Sequence, residues 1–163
     1  MASNAHSYIH NFEKKSRLGQ GGFGEVYSVL EKDTGNFYAA KISLKEVNEN
    51  TSNAIISLSR EVNINAQLDH PSILKFIGFS PVNFENETKP VTISELSKNG
   101  SLSRIIDLER MNCAINGWDD TKKLINIYGI ASGMMYLHLN KIISSRFKTR
   151  KYTFRRFFIS KNR

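Results

Sequence analysis

The stretch Gly19-Gln20-Gly21-Gly22-Phe23-Gly24-Glu25-Val26 restricts the fold more than any other, because four glycines in six residues remove the side chains where the backbone must turn back. Residues from Phe12 to Leu18 lead into it and residues from Val26 to Leu30 lead out, both as runs of the kind that form strands. The pattern therefore predicts a strand, a glycine turn and a second strand. It fits G-x-G-x-x-G-x-V, in which backbone without Cβ atoms can lie close to phosphates. A dinucleotide-binding loop of similar spelling needs a helix directly after its glycines, and here Glu25 to Leu30 predicts a strand instead.

Downstream, the turn signal Asp33-Thr34-Gly35-Asn36 separates the hairpin from a third strand, Phe37 to Ser43, which carries Ala39-Ala40-Lys41. Ile55, Ile56, Leu58, Val62, Ile64, Ala66 and Leu68 recur at helical spacing within Asn53 to Leu68, and Asp69-His70-Pro71 stops that helix. Ile73 to Phe79 and Val91 to Leu96 predict two more strands around a polar loop, Asn83 to Lys89. Ser101 is a fitting N-cap for a short helix over Leu102 to Leu108, and Asp119 or Asp120 for a longer one through Leu137. That longer helix carries Leu124, Ile127, Ile130, Ala131, Met134 and Leu137 at helical spacing.

The net charge of +8 first suggests an anionic partner, but its position argues otherwise. Residues 1–143 hold 15 basic and 15 acidic side chains, while residues 144–163 hold 8 basic ones and no acid. The excess belongs to the tail alone. Neither an apolar run long enough for a membrane span nor a basic-then-apolar leader is visible, so no membrane partner and a cytoplasmic location are expected. Cys113 is the only cysteine and has no Cys or His at ligand spacing, so it is assigned neither disulfide nor metal.

Six motifs in order resemble the protein kinase family, most closely its tyrosine-kinase-like branch. They are the glycine run, Ala39-Ala40-Lys41, Glu61, His70-Pro71-Ser72-Ile73, Ser94-Glu95-Leu96 with Asn99-Gly100-Ser101-Leu102, and Met135-Tyr136-Leu137-His138 with Asn140-Lys141-Ile142-Ile143. The resemblance implies an α+β fold: a nucleotide-binding N-lobe of five antiparallel strands and one helix, a hinge, and the first helices of a truncated C-lobe. It divides the chain into an N-terminal extension (1–9), the N-lobe (10–94), the hinge and start of the C-lobe (95–143), and a basic tail (144–163). The same resemblance implies ATP as the ligand, with magnesium in the intact family, and a protein substrate. Gly19, Gly21, Gly22, Phe23 and Gly24 would cover the phosphates, Lys41 would hold the α- and β-phosphates, and Glu61 would hold Lys41. Leu18, Val26 and Ala39 would sandwich the adenine, Ser94 would stand behind it, and Glu95 and Ser97 would offer hinge backbone groups to its edge.

Two departures from the family pattern stand out. Asn65, four residues after Glu61, takes a place where the family usually has Leu or Met, so it is expected either to be solvated or to seat the helix poorly. After Ile143 the family continues His-Arg-Asp and then Leu-Lys-Pro-Glu-Asn, whereas this chain reads Ser144-Ser145-Arg146-Phe147-Lys148 and has no Asp or Glu after Asp120. The catalytic base and the magnesium ligands are therefore absent, no catalytic residue and no metal site is assigned, and phosphoryl transfer is not expected of this chain. Read one nucleotide later with permitted codons, the stretch from Arg146 can spell Asp-Leu-Lys-Pro-Glu-Asn-Ile-Leu-Leu-Asp-Asp, so the tail is read as the product of a single-nucleotide frameshift. Two other readings remain open at this point: a pseudokinase-like ATP-binding or scaffold module, and a nucleic-acid arm, the less favoured, built from tail bases interleaved with Phe147, Tyr152, Phe154, Phe157 and Phe158.

Overall fold

The computed structural model describes residues 9–22, 24–44, 46, 52–97 and 100–142. Phe23, Asn99 and the tail from Ile143 onward, named above, lie outside the described residues. The chain forms two units. The first comprises the described residues up to Leu68 with Lys75–Leu96, and the second comprises Asp69–Leu74 with the described residues from Ser97.

In the first unit, β1 (Phe12–Gly21), β2 (Gly24–Glu31), β3 (Phe37–Ser43), β4 (Phe76–Ser80) and β5 (Val91–Glu95) form one antiparallel sheet in the order β1-β2-β3-β5-β4. Helix α1 (Ser52–Gln67) packs on β4. This is the expected five-stranded sheet with one helix. The β1–β2 hairpin reaches further toward the glycines than its apolar runs suggested, with Gly21 opposite Gly24 and Gly19 opposite Val26. Two irregularities in β1, either side of Arg17, interrupt the ladder. The Ser28 hydroxyl satisfies the first, accepting from the Ser16 N–H at 3.1 Å and lying 2.8 Å from the Ser16 hydroxyl. At the β2–β3 turn, Gly35 adopts φ +69, a left-handed backbone that glycine takes without a Cβ penalty, and its N–H donates to the Glu31 carbonyl at 2.9 Å.

Side chains alternate across a strand, and one face of this sheet makes the core. Val29, Ala40, Ile42, Val91 and Ile93 are buried on it together with Phe12 and Ile9. Ile9, assigned from sequence to the N-terminal extension, is 1 % exposed, and Lys32 fixes the chain beside it by donating to the His10 and Asn11 carbonyls at 2.7 and 2.9 Å. The β4–β5 loop is organised by buried Asn83, whose side-chain oxygen accepts from the N–H groups of Glu85 and Glu87 at 3.0 and 2.9 Å. Asn65 is half-buried, and among the described residues no buried side-chain nitrogen or oxygen lacks a partner, so its amide is solvated and α1 keeps its seat on β4.

Strand β4 begins at Phe76 rather than Ile73, because residues 70–73 form a turn that belongs to the second unit. The Ile73 N–H donates to the His70 carbonyl at 2.9 Å, and the Ser72 N–H donates to His70 Nδ1 at 3.1 Å. His70 lies against Tyr136, ring centroids 4.9 Å apart, and the Tyr136 hydroxyl accepts from the Asp69 N–H at 3.2 Å. In this unit α2 (Leu102–Arg110) is capped by Ser101, whose hydroxyl accepts from the Arg104 N–H at 3.0 Å, and α3 (Asp120–Leu139) by Asp119, which accepts from the Lys122 N–H at 2.8 Å. Glu109 ties the two helices together, accepting from Trp118 Nε1 at 2.9 Å and pairing with Lys123 at 2.5 Å. Helix α3 ends in a Schellman motif, with Lys141 at φ +59, its N–H on the His138 carbonyl and the Ile142 N–H on the Leu137 carbonyl. Among the described residues no helix is long and apolar enough to cross a membrane.

Candidate functional site

The face of the first unit's sheet opposite the core carries the candidate residues in register. Val26 lies opposite Lys41, and Lys41 opposite Thr92. One pleat further on, Ser28 lies opposite Ala39, Ala39 opposite Ser94, and Ser94 opposite Phe76. Directly opposed residues share a face. The sheet thus brings Val26, Ala39, Lys41 and Ser94 onto one surface spanning three strands, half-buried except for the exposed Lys41. Small side chains at Ala39 and Ser94 leave the middle of that surface low beside the long lysine.

Glycine has different causes along the hairpin. A Cβ on Gly24 would lie 2.3 Å from the Ile42 carbonyl oxygen, so β2 and β3 can pair there only because Gly24 has none. At Gly19, Gly21 and Gly22 an added Cβ would meet nothing within 4 Å, and none of the three has a left-handed φ. Among the described residues neither packing nor backbone geometry requires glycine at these three positions. The surface they leave bare is backbone that another molecule can approach closely.

Charged side chains brace the hairpin. Arg17 pairs with Glu25 at 2.9 Å and also bonds to Gln20, while the Tyr27 hydroxyl donates to Glu25 at 2.9 Å. That bond to a carboxylate raises the pKa of the Tyr27 phenol above its ordinary value, because losing the proton would set two anions side by side.

Of the remaining candidates, Leu18 is half exposed within β1, at the irregularity between Arg17 and Gly19, and Glu95 lies at the end of β5 with its backbone N–H donating to the Lys75 carbonyl at 2.9 Å. Glu61 is exposed on α1, and among the described residues the ion pairs do not include one between it and Lys41. Ser97 belongs to the second unit, where its hydroxyl donates to the Gly100 carbonyl at 3.3 Å. Phe23 lies outside the described residues. The sequence reading did not single out Thr92, nor the Arg17, Glu25 and Tyr27 brace. Counting pairs outward from the glycine turn finds Glu25 opposite Gln20, but the irregularity around Arg17 shifts the count beyond it. No group of three or more potential metal ligands occurs among the described residues.

A glycine-turned hairpin over a five-stranded sheet, with a lysine on the third strand aligned to the second and fifth, is the architecture of a kinase N-lobe. Residues 12–150 match the family described as protein kinase domain, and this chain belongs to that family. It is 32% identical over 142 residues to the serine/threonine-protein kinase PLK4 of Aedes aegypti, a match covering 83% of this chain and 16% of that protein. An Aurora kinase of Saccharomyces cerevisiae is 30% identical over 137 residues, covering 83% of this chain and 34% of that one. The putative cysteine-rich receptor-like protein kinase 31 of Arabidopsis thaliana is 31% identical over 130 residues, covering 78% and 17%. The chain thus spans between about a sixth and a third of the length of these relatives.

Proposed function

We propose that the first unit binds ATP, and that the intact form of this kinase domain transfers the γ-phosphoryl group to serine or threonine of a protein substrate. The observation that carries the reading is the alignment of Val26, Ala39, Lys41 and Ser94 on one face, in the sheet whose hairpin carries Gly19, Gly21 and Gly22, where an added side chain would meet none of the described residues. The low surface at Ala39 and Ser94 suits a flat adenine, the bare backbone of Gly19, Gly21 and Gly22 suits phosphates, and the Lys41 ammonium suits their charge. Glu61 would steady Lys41 once nucleotide draws the two together. Serine or threonine specificity is supported by the relative named a serine/threonine-protein kinase, and the branch within the family rests on the motifs quoted above.

Transfer itself needs groups that the described residues do not supply. Magnesium supplies charge neutralisation in the family, and its ligands and the catalytic base follow the point where this sequence departs at Ser144. The described residues bind and orient nucleotide; none of them takes the substrate proton. We attribute the departure to a one-nucleotide shift near Ser144, and we place the protein in the cytoplasm, where ATP and protein substrates coexist.

Three measurements test this. ATP should raise the melting temperature of the purified chain, and Lys41→Ala should abolish most of that rise; no rise with the unsubstituted chain removes the ATP reading. Turnover of a generic protein substrate by residues 1–163 would overturn the inactivity. Sequencing the gene across Ile143 to Arg155 should find the Asp-Leu-Lys-Pro-Glu-Asn string in the neighbouring frame, and its absence ends the frameshift account.

A further inference from the structure

The β1–β2 hairpin is not a plain ladder where it nears the glycines. Arg17 stands opposite Tyr27 but Gly19 opposite Val26, so β1 sets two residues, Leu18 and Gly19, against one residue of β2. That is a β-bulge, which bends the strand and shifts the alternation of its faces. Without it Gly19 would share the face of Arg17. With it, Gly19 and Gly21 share the face of Val26 and Gly24, the same face that carries Lys41, while Arg17 and Gln20 share the opposite face with Tyr27 and Glu25.

Side chains on that opposite face bridge the bulge. The Arg17 guanidinium pairs across the hairpin with Glu25 Oε1 at 2.9 Å and donates along its own strand to Gln20 Oε1, so one group holds residues on both sides of Leu18. The second carboxylate oxygen of Glu25 accepts from the Tyr27 hydroxyl at 2.9 Å. Tyr27 packs against the sheet core, and the Lys14 ammonium stands 5.2 Å from the centre of its ring. The contacts therefore run without a break from the core to the bulge.

We propose that Arg17, Glu25 and Tyr27 are positioning residues for the nucleotide: from the far face of the hairpin they hold the bulge that turns Gly19 and Gly21 toward the phosphates. The role rests on the ATP reading of the first unit. All three lie on the face away from Lys41, so they act through the backbone rather than on the ligand. Gly19 and Gly21 cannot set their own orientation, because a Cβ added at either would meet none of the described residues within 4 Å. The effect is selective for one end of the ligand. Phosphates meet the tip of the hairpin, whereas the base lies against Val26, Ala39 and Ser94, which the unbroken β2–β3 and β3–β5 ladders hold in place. Loosening the bulge should weaken binding of phosphates and spare that of base and sugar.

Isothermal titration calorimetry of the full 163-residue chain with ATP and with adenosine tests this. Arg17→Glu and Glu25→Arg each set like charges across the hairpin, and each should weaken ATP binding about 10-fold while changing adenosine binding less than about 2-fold. The two substitutions together restore the pair with its signs exchanged, and the Gln20 amide and Tyr27 hydroxyl can still bond to it, so ATP affinity should return to within about 3-fold of the parent. Tyr27→Phe removes one hydroxyl without altering charge and should weaken ATP about 3-fold, which decides the matter if a reversed charge unfolds the hairpin. Unchanged ATP affinity in these variants, equal loss for ATP and adenosine, or failure of the exchanged pair to rescue overturns the positioning role and leaves the ATP reading standing. An unsubstituted chain that binds neither ligand removes the ATP reading and this role with it.

Discussion

Ala39 and Ser94 face each other across β3 and β5, and the same pleat alignment puts Lys41 one step along on the same surface. Because β3 is also paired to β2, the position of Lys41 relative to Val26 is fixed by backbone hydrogen bonds rather than by side-chain contacts. Anything that disturbs the pairing of β2 with β3 moves the lysine.

Gly24→Ala makes that disturbance directly. The new methyl carbon would lie 2.3 Å from the Ile42 carbonyl oxygen, which is backbone and can move only by parting the strands. The expected cost is about 1–3 kcal/mol of stability. Urea unfolding of both proteins measures it, and an equal midpoint would mean that the strands separate there without cost.

Ile9→Ala should cost about 2–5 kcal/mol, since Ile9 is 1 % exposed within the sheet core beside Val29, Ala40 and Ile93. Removing residues 1–9 should destabilise the first unit as much as or more than the substitution. Thermal unfolding that leaves both variants as stable as the parent would place Ile9 outside the folded unit.

Glu109 predicts a local response to acid. The hydrogen bond from Lys123, and then that from Trp118, hold its carboxyl below the ordinary value of 4.5. A depressed carboxyl contributes stability that is present above the ordinary value and is lost as pH falls through the folded value. The tie between α2 and α3 should therefore loosen only below about pH 4.5. Trp118, the only tryptophan, reports it by fluorescence, and Glu109→Gln should flatten the transition. An identical titration in the substituted protein would assign the signal to other carboxylates.

Much of the first unit was legible because its signals are local. The glycine turn, the Asp33-Thr34-Gly35-Asn36 turn and the apolar runs on either side place β1, β2 and β3 without any distant contact. Ser101 and Asp119 cap their helices as their residue types predict. What was not legible depends on register or on distant partners. Ile9 reads as an extension until the core of β2, β3 and β5 closes over it, and Thr92 acquires meaning only once it stands opposite Lys41. Strand β4 starts three residues later than the apolar run from Ile73 suggests, because Ile73 closes a turn that His70 holds through both ring and carbonyl.

The open space around Gly19, Gly21 and Gly22 separates two kinds of selection. A library of this chain sorted only for folding should drift freely at those three positions while retaining Gly24. Sorted on immobilised nucleotide, it should keep all four.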